Sequence, residues 1–396
     1  MGTKTYICLA VAITLLLLTP PAQAQDEQWL QYHSERQAQR IVSDMGTSTP
    51  EVTSDKPTNI QFPDFICDEP FFAFWPSPMV TPGGLWMAFD RQNKTGQPYD
   101  LIYIDSNANS NLTDESAVKS YELDYRDSRR TKFGPIKVIF EGEDGPITYH
   151  LNIEFYNYSG RRYLYIRSAG WYEGTIDLAG TKKHCVLIDY NVNGTFNDKS
   201  LNAAECDRIR IGKKGDQDTR YVGNFIEIDD ALYRPEIARD GACIKLIKAE
   251  DVKFGNIRLP QTITEFSAGG ENGLFKLKLE NGSGPLPVGR YRINQWALEH
   301  EDEKGKKWKL QGSGTSQKGD FEIFADKETG LSIGEPIVSR LEVNKKDSGY
   351  SFSQNLGGRL DEHIELIRNG SQPPAPKLHI KSKDGSYERT FSFEYG

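Results

Sequence analysis

Histidine is scarce in this chain, six among 396 residues. His33, His150, His184, His300, His363 and His379 form neither H-x-H nor H-E-x-x-H, the spacings that bring two imidazoles to one metal. A G-x-S-x-G elbow, a Walker loop and a dinucleotide fingerprint are missing too, so nothing points to the nucleophile, phosphate or hydride chemistry those motifs carry. Cysteine stands at five, without C-x-x-C or metal-ligand spacing, which leaves no support for thioredoxin-type redox work or a zinc site. Basic charge is in deficit: 48 Lys and Arg against 56 Asp and Glu, net −8. Nucleic acid wants a basic face, and the group Arg126, Arg129, Arg130 and Lys132 is interrupted by acidic neighbours. It reads as a solvated face. Beyond Leu18 no apolar run approaches the roughly 20 residues of a membrane helix, so no membrane span is expected.

The first 24 residues join a basic start, an apolar run ending at Leu18 and the small-residue site Ala22-Gln-Ala24. That order describes a secretory signal peptide cleaved after Ala24, and a secreted or periplasmic protein. Cys67, Cys185, Cys206 and Cys243 would then meet an oxidising compartment, where four cysteines allow three pairings. Cys185–Cys206 is the first expectation and Cys67–Cys243 the second.

Residues 25–62 read as an N-terminal helix over 26–44 followed by a linker over 45–62, rich in Ser, Thr, Pro and Asp. From there the pattern is strand-like, with short runs of Val, Ile, Tyr, Phe and Thr between Gly, Asn, Asp and Pro clusters. Ile136–Phe140, Tyr163–Ile166, Phe225–Ile228 and Cys243–Ile247 are such runs. A break near Phe254–Pro260 divides a β-rich region over 63–260 from a second over 261–396, which offers about eight strands. The fold class expected is mainly β: two β-sandwich-like regions, the second Ig-like or prealbumin-like. Leu286-Pro-Val-Gly-Arg-Tyr291 resembles the P-x-G-x-Y corner of secreted sandwich domains.

Two stretches carry the chemistry: Asp105-Ser-Asn-Ala-Asn-Ser-Asn-Leu-Thr-Asp114-Glu115 and Asp189-Tyr-Asn-Val-Asn-Gly-Thr-Phe-Asn-Asp198. Calcium takes six to eight oxygen ligands, which alternate side chains of a tight loop can supply. Asp105, Asn107 and Asn109 fall at positions one, three and five, the Asn111 carbonyl at seven, and Asp114 or Glu115 closes the cage. Asp189, Asn191, Asn193, the Thr195 carbonyl and Asp198 repeat the set. Leu112 and Phe196, at position eight, would anchor the loops to the core. The openings lie 84 positions apart, at 105 and 189, which fits a duplicated β unit or two convergent hairpins.

These segments resemble the EF-hand-like loops of secreted proteins, including the dockerin type with its D-x-N-x-D-G opening. The resemblance covers only the two loops, and it implies calcium. Position twelve holds Ser116 or Ser200 where the family has a carboxylate, and position six of the first loop is Ser110, not Gly. Few formal charges imply binding on the order of 10⁻⁴–10⁻³ M. The chain as a whole resembles exported bacterial β-proteins.

The expectation is therefore an exported, non-catalytic β-protein with structural calcium loops and an unknown protein or polysaccharide partner. Two rivals remain. A carbohydrate-binding module would expose aromatics such as Tyr163 and Trp171 on one face; a secreted polysaccharide hydrolase would set two carboxylates on a cleft. The acidic run Glu299-His-Glu-Asp-Glu303 precedes Lys304, Lys306 and Lys307, and reads as a charged hairpin tip.

Overall fold

Alternation of inward and outward side chains builds most of this protein. In the strand Gly145–Tyr158, Tyr149, Leu151, Ile153 and Phe155 are buried while the residues between them are not, because successive strand side chains point to opposite faces. The computed structural model describes residues 26–395 apart from 82, 97, 124–128, 144 and 348. The expected leader, 1–24, and Arg126 lie outside the described residues. The protein is mainly β, with several antiparallel sheets and almost no helix.

Four sheets share one interior, running in sequence from Leu30 to Leu246. The first is a meander of Val52–Thr53, Phe71–Pro76, Gly84–Asp90, Leu101–Ile104 and Val118–Lys119. Long strands Arg130–Gly142, Gly145–Tyr158 and Arg161–Ser168 form the second. The third is again a meander, Gly170–Leu178, Thr181–Ile188, Arg208–Gly212 and Arg220–Tyr221, with Gln31–Ser34 on its outer edge. In the fourth, Gln28–Trp29 pairs with Cys243–Lys248. Aromatic rings fill the space between them: Phe89 stacks on Phe155 at 4.4 Å and Trp75 on Tyr149 at 5.9 Å.

A second interior runs from Ile257 to Ile364 around Trp296 and Tyr291, beneath an eight-stranded sheet. The Tyr291 hydroxyl donates to the Pro287 carbonyl at 2.8 Å, a tie back to the chain just upstream like that of sandwich tyrosine corners.

Three segments differ from the sequence reading. The helix shrinks to the single turn Ala38–Ile41, and Gln28–Trp29 and Gln31–Ser34 before it are strands. Residues 45–62 are packed: Ser48 bridges Ile166, Val52–Thr53 pairs with the strand Phe71–Pro76, and Gln61 bridges Asn111. Backbone pairing with remote sheet edges holds these segments, and their own side-chain pattern does not register it. The break at 254–260 contains a strand, Phe254–Arg258, paired with Ser283–Pro287 of the second region.

The cysteine pairings are also corrected. Cys67, Cys185, Cys206 and Cys243 are free. Cys185 packs in the first large interior, whereas Cys206 belongs to a small cluster with Tyr221 and Leu274 and donates to the Ser200 carbonyl. Bracketing one loop in sequence did not bring the two thiols to one face.

Candidate metal loops

Each Asx-rich loop leaves a strand at its buried end. Leu101–Ile104 delivers Asp105 and Thr181–Ile188 delivers Asp189, and both carboxylates are buried. Asp105 accepts from the backbone N–H of Asn109 and of Ser110, each at 3.0 Å. Asp189 accepts from Asn193 at 3.2 Å and Gly194 at 2.7 Å. The fifth-position amides match as well: Asn109 Nδ2 donates to Asp114, and Asn193 Nδ2 to Asp198, both at 2.7 Å. Leu112 and Phe196 are buried. One spacing has produced the same loop twice.

Positions four and six adopt left-handed backbone in both loops, at Ala108 (φ 59°) and Ser110 (φ 63°), then Val192 (φ 57°) and Gly194 (φ 92°). Glycine takes that hand of backbone freely and serine does not. Ser110→Gly is therefore expected to stabilise the protein by up to about 1 kcal/mol, read as a higher urea midpoint. An unchanged or lower midpoint would mean the loop holds Ser110 without strain.

The second loop is the deeper one. One oxygen of Asp198 accepts from Asn191 Nδ2 at 2.9 Å, Asn193 Nδ2 at 2.7 Å and Thr195 Oγ1 at 2.5 Å. Asn191 Oδ1 is buried without a hydrogen-bond partner. In the first loop Asn107 and Asn111 turn to local work: Asn107 Oδ1 accepts from the Asn109 N–H, and Asn111 Oδ1 from Thr113. Asn107, Asn109 and Asp114 there are exposed.

Several residues that complete the site come from elsewhere in the chain. Asp207, wholly buried, accepts from the N–H groups of Tyr190 at 3.0 Å and Asp198 at 2.8 Å. Glu115 serves the first loop in the same way, accepting from the Ser106 N–H at 2.6 Å. The Tyr149 hydroxyl donates to Asp189 at 2.7 Å, and Trp75 Nε1 to the Val192 carbonyl at 2.7 Å. Asp207 stands directly before the strand Arg208–Gly212, which pairs with the strand leading into the loop. That adjacency was the only signal the sequence held for it.

Gly46 backs the loop so closely that a Cβ there would lie 1.7 Å from the Tyr190 carbonyl oxygen. Gly46→Ala is expected to lower stability by about 1–3 kcal/mol, as overpacking does, with chemical denaturation as the measure. Full stability would show that the segment yields.

Burial pushes the carboxyls of Asp189 and Asp207 upward, since desolvation penalises the charged form. The groups that chiefly act on them are carboxylates, the Tyr149 phenol and backbone N–H groups, with no Lys or Arg among them. Among the described residues no three His, Cys, Asp or Glu side chains gather as a metal-binding group. Carboxylate and amide oxygens line these loops, the kind of donor that suits a hard cation.

No family model, curated protein or solved structure matches this chain. What the loops do rests on their own geometry.

The other candidates fall as follows. Glu299–Glu301 ends the strand Gly289–Glu301, and Asp302 and Glu303 open the turn to Lys307–Ser313, with Asp302 capping it by accepting from the Lys304 and Lys306 N–H groups. Arg130 and Lys132 pair with Glu154 and Glu122. Trp171 is buried against His33, whereas Tyr163 is 41% exposed. No helix among the described residues is long and apolar enough to cross a membrane.

Proposed function

We propose that this is an exported, non-catalytic β-protein whose Asx loops bind calcium as a structural element. The observation that carries the reading is Asn191 Oδ1, a buried acceptor without a partner, beside a carboxylate on which three donors converge. A buried acceptor left unmade is costly, on the order of 1–3 kcal/mol. A cation in the loop would be held by Asp189, Asn191, Asn193, Asp198 and the Thr195 carbonyl. Its positive charge would offset the carboxylates that burial otherwise disfavours. Asp105, Asn107, Asn109, Asp114 and the Asn111 carbonyl form the equivalent set in the shallower loop. Magnesium demands near-ideal octahedral geometry and dehydrates reluctantly, so calcium suits these adaptable oxygens better.

Each loop joins neighbouring antiparallel strands of a meander: Leu101–Ile104 to Val118–Lys119, the fourth and fifth strands of the first, and Thr181–Ile188 to Arg208–Gly212, the second and third of the other. The match supports a duplicated unit. Calorimetric titration of EDTA-stripped protein tests the proposal, with calcium and magnesium in separate runs. Calcium binding on the order of 10⁻⁴–10⁻³ M, weakened in Asp198→Asn, is expected. Absence of calcium heat and of any competition with a calcium dye would sink it.

A polysaccharide partner is the second reading. Tyr156, Tyr158 and Tyr163 cluster with centroids 6.2 Å apart, and the last two are exposed. Exposed aromatic faces can stack on sugar rings. Affinity electrophoresis through gels of soluble glucans and galactans tests this: retardation lost in Tyr163→Ala supports it, and unhindered migration opposes it.

A further inference from the structure

The eight-stranded sheet ends on Val338–Lys346, a strand exposed at every residue. It pairs on one side with Gly349–Gly357 and forms the sheet edge on the other. Leu341 and Val343 share one face with their cross-strand partners Gln354 and Phe352, and Leu341 and Val343 are each about half exposed. Arg340 and Glu342 occupy the opposite face. An open edge with exposed aliphatic side chains is a template for another strand, and proteins usually blunt it with charge or proline. Here Lys345 and Lys346 stand at one end and Pro336 just before the other, and the charges between them, Arg340 and Glu342, are of opposite sign.

We propose that this edge pairs with the same strand of a second copy, antiparallel, about a two-fold axis at Leu341. Charge selects the register. Centring on Leu341 sets Arg340 of each copy opposite Glu342 of the other, twice by symmetry. Centring on Val343 would set Arg340 against Lys346, and centring on Ser339 would set Arg340 against Val338 and Glu342 against Pro336.

Backbone pairing agrees. The paired residues Lys346 and Gly349 enclose a two-residue loop, which makes them a hydrogen-bonded pair and turns the N–H and C=O of Ser339, Leu341 and Val343 outward. A centre at Leu341 matches outward groups with outward groups. It also joins the apolar faces of both copies beside a groove of about 700 Å³ lined by Val343, Tyr350, Phe352, Leu378, Ile380 and Phe391. Within its own chain Arg340 meets Asp361 at 3.5 Å, both side chains well exposed, and such a pair is worth little.

Sedimentation equilibrium of the purified protein tests the pairing. The wild type is expected to dimerise, and Glu342→Arg or Arg340→Glu to raise the dissociation constant about tenfold or more. The double exchange R340E/E342R restores opposite charges and is expected to restore the dimer. Leu341→Lys, which sets like charges on the axis, is an independent disruptor. All three positions are exposed, and circular dichroism verifies that each variant is folded. A wild type that stays monomeric at every concentration overturns the proposal. A dimer indifferent to the single exchanges, or a double variant that stays monomeric, overturns it equally.

Discussion

Calcium added to the EDTA-treated protein is expected to raise its melting temperature, and Asp198→Asn to cancel the rise. A ligand that binds only the folded state stabilises it by RT ln(1 + [L]/Kd). With 10 mM calcium and a dissociation constant near 10⁻⁴ M, that is about 2.7 kcal/mol. Each kcal/mol moves the midpoint of a large domain by roughly 2–4 °C, so the shift is several degrees. Asp198→Asn is the sharper variant because an amide oxygen can still accept from Asn191, Asn193 and Thr195 while the charge is gone. Asp189→Ala does more: it strips the acceptor from Tyr149, Asn193 and Gly194, and should lower stability with or without metal. A wild type indifferent to calcium would reduce both loops to hydrogen-bonded turns.

Trp75→Ala is expected to cost about 3–5 kcal/mol in urea unfolding, the range for emptying a buried aromatic site. Trp75 is fully buried, stacked on Tyr149 at an interplanar angle of 15°, and bonded to the Val192 carbonyl. Val192 is a β-branched residue in left-handed backbone. Such a residue is an outlier, strained by about 1–3 kcal/mol and kept there only by its surroundings. Trp75→Phe separates the two contributions, retaining much of the ring and losing the hydrogen bond. Calcium affinity should fall in both variants if Trp75 holds the loop in shape. A loss under 1 kcal/mol in Trp75→Ala would show that the loop keeps its conformation unaided.

The strands were legible wherever alternation is internal to a segment, as in Ile136–Phe140 within Arg130–Gly142 or Cys243–Ile247 within Cys243–Lys248. The N-terminal strands were not, because Gln28–Trp29 and Gln31–Ser34 exist only through remote partners at 243–244 and 170–173. The loops follow the same division. Asp189, Asn193 and Asp198 meet through short-range turn geometry that their spacing encodes. Asp207, Tyr149, Trp75 and Gly46 reach the loop from other strands and segments, where spacing is silent. The expected thiol pair failed for a related reason: neighbours in sequence faced different clusters.

The remote pairing of the first strands also bears on how the chain folds. Residue 28 lies opposite residue 244, and residue 32 opposite residue 172. Both emerge before their partners: Gln31–Ser34 has nothing to pair with until residue 173 has followed, and Gln28–Trp29 until residue 244. Contacts so distant along the chain pay their loop-closure entropy before they return any stability. Until these two strands dock, the edges at Gly170–Leu178 and Cys243–Lys248 stay open to any other strand. Pairings of that span slow the folding of the first region.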